Sequence, residues 1–355
     1  MYSESDIDDA VTAGAITRDA ATALRDHIAR SQSAPAVDEE HFRLLTGFND
    51  IFVSIAAAAV LVGMAWLGES VTLPLAGVLV AATSWGLAEY FTRQRRMALP
   101  SILLLCGFAG GMFTLGAALG GTALDALTGD PMAAELPWVH PLRNVGWVVA
   151  GAVTMGLATL AHWRRFHVPI TVAAGAGAAV AAAIALVIAV APGARAWWPP
   201  LLLAGGLSLF ALALRWDMSD RARITRRADV AFWLHLSASP LIVHPTFALL
   251  GLLGTGSLGT GPGPWRAVAA VGLYGVLTLV GLVVDRRALL VSALFYVLYA
   301  ISALLRSAGD LSVSLALTAL VVGSALLLLS AFWHSARRVV LRWTPEGVRR
   351  RMPAA

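Results

Sequence analysis

Of the 355 residues, 58% are apolar and only 13% are charged, with a mean hydropathy of +0.74, whereas a soluble domain carries about 25% charged residues. That balance excludes a chain solvated by water alone and makes a lipid bilayer its expected solvent. The formal charge of +5 rests on arginine alone, lysine being absent. Because the arginines lie in loops between apolar runs and not on one basic face, nucleic acid is excluded as the expected partner and lipid headgroups take its place.

In chain order, residues 1–37 read as a small helical hairpin and linker. Ser5-Asp6-Ile7-Asp8 has the form of a capping box, Gly14 suits a left-handed helix end, and Thr17 can cap a second helix whose Ala20, Leu24 and Ile28 share a face. Ser31 to Pro35 is a linker, and Asp38, Glu39 and Glu40 suit the positive start of the next helix. No signal-peptide pattern precedes the first apolar run near Phe48, which is expected to act as an uncleaved anchor.

Residues 38–335 form the expected transmembrane bundle. A helix crosses about 30 Å of hydrocarbon in about 20 residues and satisfies its own backbone. Segments of that length fall near 48–67, 72–91, 98–121, 144–162, 168–191, 199–215, 230–253, 266–284, 288–305 and 312–333. Twenty-two of the 26 arginines fall in the N-terminal segment, in alternate gaps between these runs and in the basic tail 336–355; Arg143, Arg195, Arg266 and Arg306 hold the remaining gaps. Arginine-rich loops stay on the cytoplasmic side. The fold expected is therefore an all-α polytopic bundle of about ten spans with both termini cytoplasmic. Tryptophans such as Trp66, Trp197, Trp216 and Trp343 fall at run ends, where amphipathic rings prefer the headgroup level. All-arginine, alanine-rich usage points to a bacterial inner membrane.

The turns Arg95-Arg96-Met97-Ala98-Leu99-Pro100, Arg164-Arg165-Phe166-His167-Val168-Pro169 and Arg286-Arg287-Ala288-Leu289-Leu290-Val291 repeat one pattern. Tandem helical hairpins would produce it, and so would the general need of short inner loops for arginine. With Ala13-Gly14-Ala15-Ile16-Thr17 and the following Ala20, Ala21 and Leu24, these hairpins resemble predicted bacterial inner-membrane proteins of unknown function that carry a short N-terminal helical hairpin before a run of spans. The resemblance implies a multi-pass membrane fold and brings no activity with it.

Chemistry-bearing residues are few. Asn49, Asp50, Glu89, His162 and Asp285 sit near helix ends, where pairing with nearby arginines is the plainest expectation. The stretch from His235 to Pro245 stands apart. Pro240 and Pro245 are expected to break the seventh span and free carbonyls, as in discontinuous helices that line transport sites. His235 and His244 lie roughly 9 and 22 Å from the inner end at 1.5 Å per residue, and with Ser239 and Pro240 they are the candidate ligand or pathway residues. Interhelical hydrogen bonding is the structural alternative. Two histidines without carboxylate or cysteine partners make no metal site, so no metal and no cofactor is expected. Ser208 and His235 could meet as a serine-hydrolase dyad, although serines in apolar helices commonly bond their own backbone. Gly254-Thr255-Gly256-Ser257-Leu258-Gly259 matches a dinucleotide fingerprint in letters but follows a helix, and reads as a loop. Gly107/Gly111 and Gly116/Gly120 fit another helix at close range, from this chain or a second copy. Cys106, the single cysteine, is expected as a small buried hydrophobe.

The expected partners are membrane lipids, a small or lipid-like solute to be transported or recognised, and, for a scaffold or sensor, a cytoplasmic protein docking on the N-terminal hairpin.

Overall fold

The computed structural model describes residues 4–31, 48–128, 141–221, 223, 225–251, 264–287, 290, 293–294, 298 and 311–349. The fingerprint-like stretch 254–259, the linker from Gln32 onward and most of the expected span 288–305 lie outside the described residues. By contact the chain divides into two units, Met1–Arg43 and Leu44–Ala355.

In the first unit, α1 (Glu4–Thr12) and α2 (Arg18–Ser31) are joined by a turn with Gly14 at φ 71°. That is the left-handed geometry glycine adopts without steric cost. Thr17 caps α2 through its hydroxyl, which accepts from the Ala20 N–H at 3.1 Å. Arg25 pairs with Asp8 at 2.7 Å and ties the two helices. The buried apolar residues are Ile7 and Ala21, while Ala20 and Leu24 are exposed. The packing face of α2 is thus rotated by one residue from the expected Ala20/Leu24 stripe.

The second unit is helical throughout its described residues. Its elements are α3 (Phe48–Glu69), α4 (Leu73–Ala88) with a π-helical extension Glu89–Gln94, α5 (Ala98–Thr128), α6 (Pro141–Phe166), α7 (Ile170–Val190) and a 3₁₀ turn Pro192–Trp197. There follow α8 (Trp198–Ser219), α9 (Arg226–Leu249), α10 (Pro264–Val284), α11 (Leu311–Ala331), α12 (Trp333–Trp343) and α13 (Glu346–Arg349). Five helices among the described residues are long and apolar enough to cross a membrane, or six if α11 and α12, bent by 76°, count as one span. The described residues are all-helical, and several of their helices are able to cross a membrane.

Packing follows chain order: α3 on α4, α4 on α5, α5 on α6, α6 on α7, and α8 on α9. Small residues set the spacing. A Cβ at Gly77 would lie 2.7 Å from the Gly111 carbonyl oxygen, and one at Gly111 would lie 2.7 Å from that of Gly77. The glycine stripe of α5 therefore packs inside the chain. Cys106, on another face of α5, is exposed; the expected burial is not found, because the tight contacts lie on the glycine face.

Arg96, His167 and Asp285 adopt φ 53°, 54° and 60°, each at an arginine-bearing turn after a helix. Left-handed geometry at non-glycine residues costs on the order of 1–2 kcal/mol, so each of these turns accepts that strain. Counted from the first arginine of each pair, the left-handed residue stands one place after it at Arg96, three after it at His167 and one before it at Asp285, so the repeat read from sequence has no common backbone register.

The expected break in the seventh span is not found. α9 runs without interruption through Pro240 and Pro245. Pro245 withholds the N–H that would bond the Leu241 carbonyl, and at that carbonyl α8 presents Gly206, where a Cβ would stand 2.8 Å from the oxygen. The bare helix face packs closely against α9 at this point, and the helix continues.

Candidate functional site

α9 is the most deeply set helix described, with Val230, Ala231, Leu234, Ala238 and Val243 all fully buried. Its buried face continues into polar chemistry at one end. On α8 the residues turned inward are Gly206, Leu209, Ala213 and Asp217, spaced at three and four like any helical stripe. The stripe that carries the close α8–α9 contact delivers a carboxylate to the same interface.

Asp217 meets two partners there. His235 Nε2 lies 2.8 Å from Asp217 Oδ2. Arg286 approaches as a fork, Nη2 donating to Oδ1 at 2.5 Å and Nε to Oδ2 at 3.3 Å, while Nη2 also reaches the Ala228 carbonyl at 3.2 Å. All three side chains are nearly sealed from solvent, at 2%, 0% and 2% exposure for Asp217, His235 and Arg286. A carboxylate accepts only, so Nε2 of His235 carries the proton. Its Nδ1 has no hydrogen-bond partner among the described residues, and Phe210 packs edge-on to the ring at 5.1 Å.

Asp285, the neighbour of Arg286, turns to a second set. Arg223 Nη1 donates to its Oδ2 at 2.9 Å and Nη2 to its carbonyl at 3.2 Å. Trp333 Nε1 donates to Oδ1 at 2.8 Å, and Arg337 Nε stands 3.5 Å from Oδ1. Asp220 stabilises the intervening connection, its Oδ2 accepting from the Thr225 N–H at 2.9 Å and hydroxyl at 2.5 Å. Thr225 then caps α9. The pair Asp285-Arg286 thus joins the end of α10 to α8 and α9 on one side and to the start of α12 on the other.

Two recesses flank this network. One, of about 220 Å³, is walled by Leu290, Leu294, Leu326 and Leu329 together with Tyr274, Ser330, Arg287 and Trp333. The Tyr274 hydroxyl is buried there without a hydrogen-bond partner among the described residues, and the Arg287 guanidinium lies over the Trp333 ring at 5.0 Å. The other, of about 320 Å³, is formed by Leu212, Arg215, Trp216, Ser219 and Arg227 at the α8–α9 connection.

Comparison with protein-family models, curated proteins and solved structures finds no match to this chain. The site therefore stands on its own geometry.

His235 is buried in an ion-paired network, whereas His244 is exposed and rests beside Trp198 with ring centroids 5.6 Å apart. The two point to different surroundings from one continuous helix. Ser239 is fully buried and Pro240 exposed. Ser208 is exposed and gives its hydroxyl to the Ala204 carbonyl at 2.8 Å, while His235 Nε2 is taken by Asp217. The structure does not bring Ser208 and His235 together as a dyad. Among the described residues no three of His, Cys, Asp or Glu converge on a point where a metal could sit.

Of the charged residues read from sequence, Glu89 accepts a bidentate contact from Arg165, at 2.7 and 2.9 Å, and one from Arg93 at 3.3 Å. Asp285 is paired as expected, with Arg223 and Arg337. Asp217 and the inward course of Arg286 were not anticipated. The signal for Asp217 lies in the sequence: it continues the Gly206–Leu209–Ala213 stripe by one turn, two residues past the end of the sixth apolar run at Arg215.

Proposed function

We propose that this chain is a ten-span inner-membrane protein with both termini cytoplasmic that recognises a single-chain, lipid-like solute in the apolar recess between α10 and α11. The observation that carries the reading is the double role of Trp333. The ring walls the recess with leucines, and its N–H holds Asp285. An occupant pressing on Trp333 therefore acts on the hinge between α11 and α12. The walls favour an acyl chain; Arg287 at the ring suits a carboxylate or phosphate end. At about 220 Å³ the space lies below the roughly 300–1,000 Å³ of sites that enclose drug-sized ligands, which fits one chain better than a bulky molecule. His235 supports the α8–α9–α10 junction in this reading and does not touch the solute.

A photoreactive fatty acid tests it. With protein in nanodiscs, labelling of α10 and α11 peptides is expected to be saturable, competed by oleate, and lost in Leu329→Trp, which fills the recess. Labelling that oleate leaves untouched, or that Leu329→Trp leaves unchanged, is ordinary bilayer contact and ends the proposal.

A second reading is favoured by the N-terminal hairpin, which forms a unit by itself with its own ion pair. A scaffold docking a cytoplasmic partner through it predicts that deleting residues 1–34 removes the partner from a pull-down while lipid labelling persists.

A further inference from the structure

We infer that the recess at the α8–α9 connection is a binding site for the phosphate of an anionic membrane lipid, held by Arg215 and Arg227. It is independent of the acyl-chain recess beside Trp333 and shares none of its residues.

Both guanidiniums line the same space of about 320 Å³. Among the described residues neither forms an ion pair, although carboxylates stand close by in sequence. The reason is visible in the fold. Asp217 is turned inward and consumed by Arg286 and His235, and Asp220 is directed to the cap of α9 through Thr225. By contrast Arg223, Arg286 and Arg337 each lie within 4 Å of a carboxylate. Two cations facing one recess repel each other, and an anion between them removes that cost.

Three further features select a lipid phosphate. The recess adjoins the first turn of α9, a 24-residue helix, whose N-terminus carries a partial positive charge and draws phosphate. Trp216 contributes a half-buried ring, the kind of side chain that sits at headgroup depth. Leu212 stands one turn farther into α8, where the glycerol and first methylenes of a lipid would continue along the helix. Basic pockets between membrane helices bind phosphate headgroups for these reasons. Ser219 lines the wall but gives its hydroxyl proton to the Trp216 carbonyl at 2.7 Å, so the arginines supply the donors.

The test is lipid retention by full-length protein, delipidated in detergent and then offered phosphatidylglycerol or phosphatidylcholine, read by native mass spectrometry. Two arginines predict a preference for phosphatidylglycerol of roughly tenfold or more. Arg215→Gln with Arg227→Gln is expected to abolish the preference, and Arg215→Lys with Arg227→Lys to restore most of it. Exchange of the exposed Arg338 and Arg342 for glutamine is expected to leave it intact. Equal retention of the two lipids overturns the inference, as does an equal loss from the Arg338/Arg342 exchange, which would mark diffuse surface charge. Release of bound phosphatidylglycerol by millimolar inorganic phosphate would make a soluble phosphoester the ligand and overturn the lipid assignment.

Discussion

Asp217 and Arg286 form an ion pair sealed from solvent, 3% and 2% exposed at the side chains. A charge removed from water is repaid only when its partner and hydrogen bonds stay in place, and breaking one half of a buried pair costs about 3–5 kcal/mol. Asp217→Asn keeps the shape but leaves Arg286, 2% exposed, without its counter-charge. A loss of that size is expected, measured as a drop in the midpoint of SDS unfolding. The double change Asp217→Leu with Arg286→Met removes both charges and is expected to be less destabilised than Asp217→Asn alone; a double variant weaker than the single would show that the pair itself is net stabilising. This network was only half legible in the sequence. His235 stood out because a histidine inside an apolar run is rare, and Asp285 because it sits beside arginines. Asp217 was hidden in a segment so rich in arginine that it read as loop, although α8 continues to Ser219. Nor could sequence show which of Arg286 and Arg287 turns inward. That depends on Asp285 at φ 60°, a turn geometry that apolar periodicity does not encode.

Among the elements, α8 and α9 show how a helix with two prolines stays whole. Proline is destabilising in a helix interior because a carbonyl loses its donor and the ring crowds the preceding turn. Gly206 lets α8 approach the Leu241 carbonyl at a distance no side chain would permit, so the packing of α8 against α9 holds the helix in line through Pro245. Gly206→Ala would place a Cβ 2.7 Å from the Leu241 carbonyl carbon, against backbone that cannot yield cheaply. The expected cost is about 1–3 kcal/mol, with Gly206→Leu failing to accumulate. Gly63→Ala, with nothing within 4 Å of the new methyl, is the control and is expected to be neutral or slightly stabilising in the same assay. The same stability in Gly206→Ala and Gly63→Ala would show that the contact is not what keeps α9 continuous. From sequence the two prolines suggested a break, since the compensating surface lies on another helix. The small-residue stripe of α5 was easier to read, because close packing needs only the glycines themselves and their spacing.

At the scale of the whole molecule, the arginines carry two kinds of information that the sequence presents as one. Their alternation between gaps gives the ten-span topology its support, because arginine-rich loops are retained on the cytoplasmic side. Yet Arg93 and Arg165 at the surface, and Arg223, Arg286 and Arg337 inside the fold, are also bound to carboxylates, so they fasten helix ends as well as orient them. A topology built on their count survives only if the loops they occupy share one side. Cysteine labelling decides this. In a Cys106→Ala background, Ser70→Cys after α3 and Gly193→Cys after α7 are expected to react with a membrane-impermeant maleimide on intact cells. Arg164→Cys, in the last turn of α6, is expected to react only after permeabilisation. All three positions are exposed, so silence reflects sidedness and not burial. Labelling of Ser70→Cys and Arg164→Cys from the same side would require an even number of crossings among α4, α5 and α6 in place of three. The alternation of arginine would then be a property of the packed helix ends alone, and the placement of both termini in the cytoplasm would fall with it.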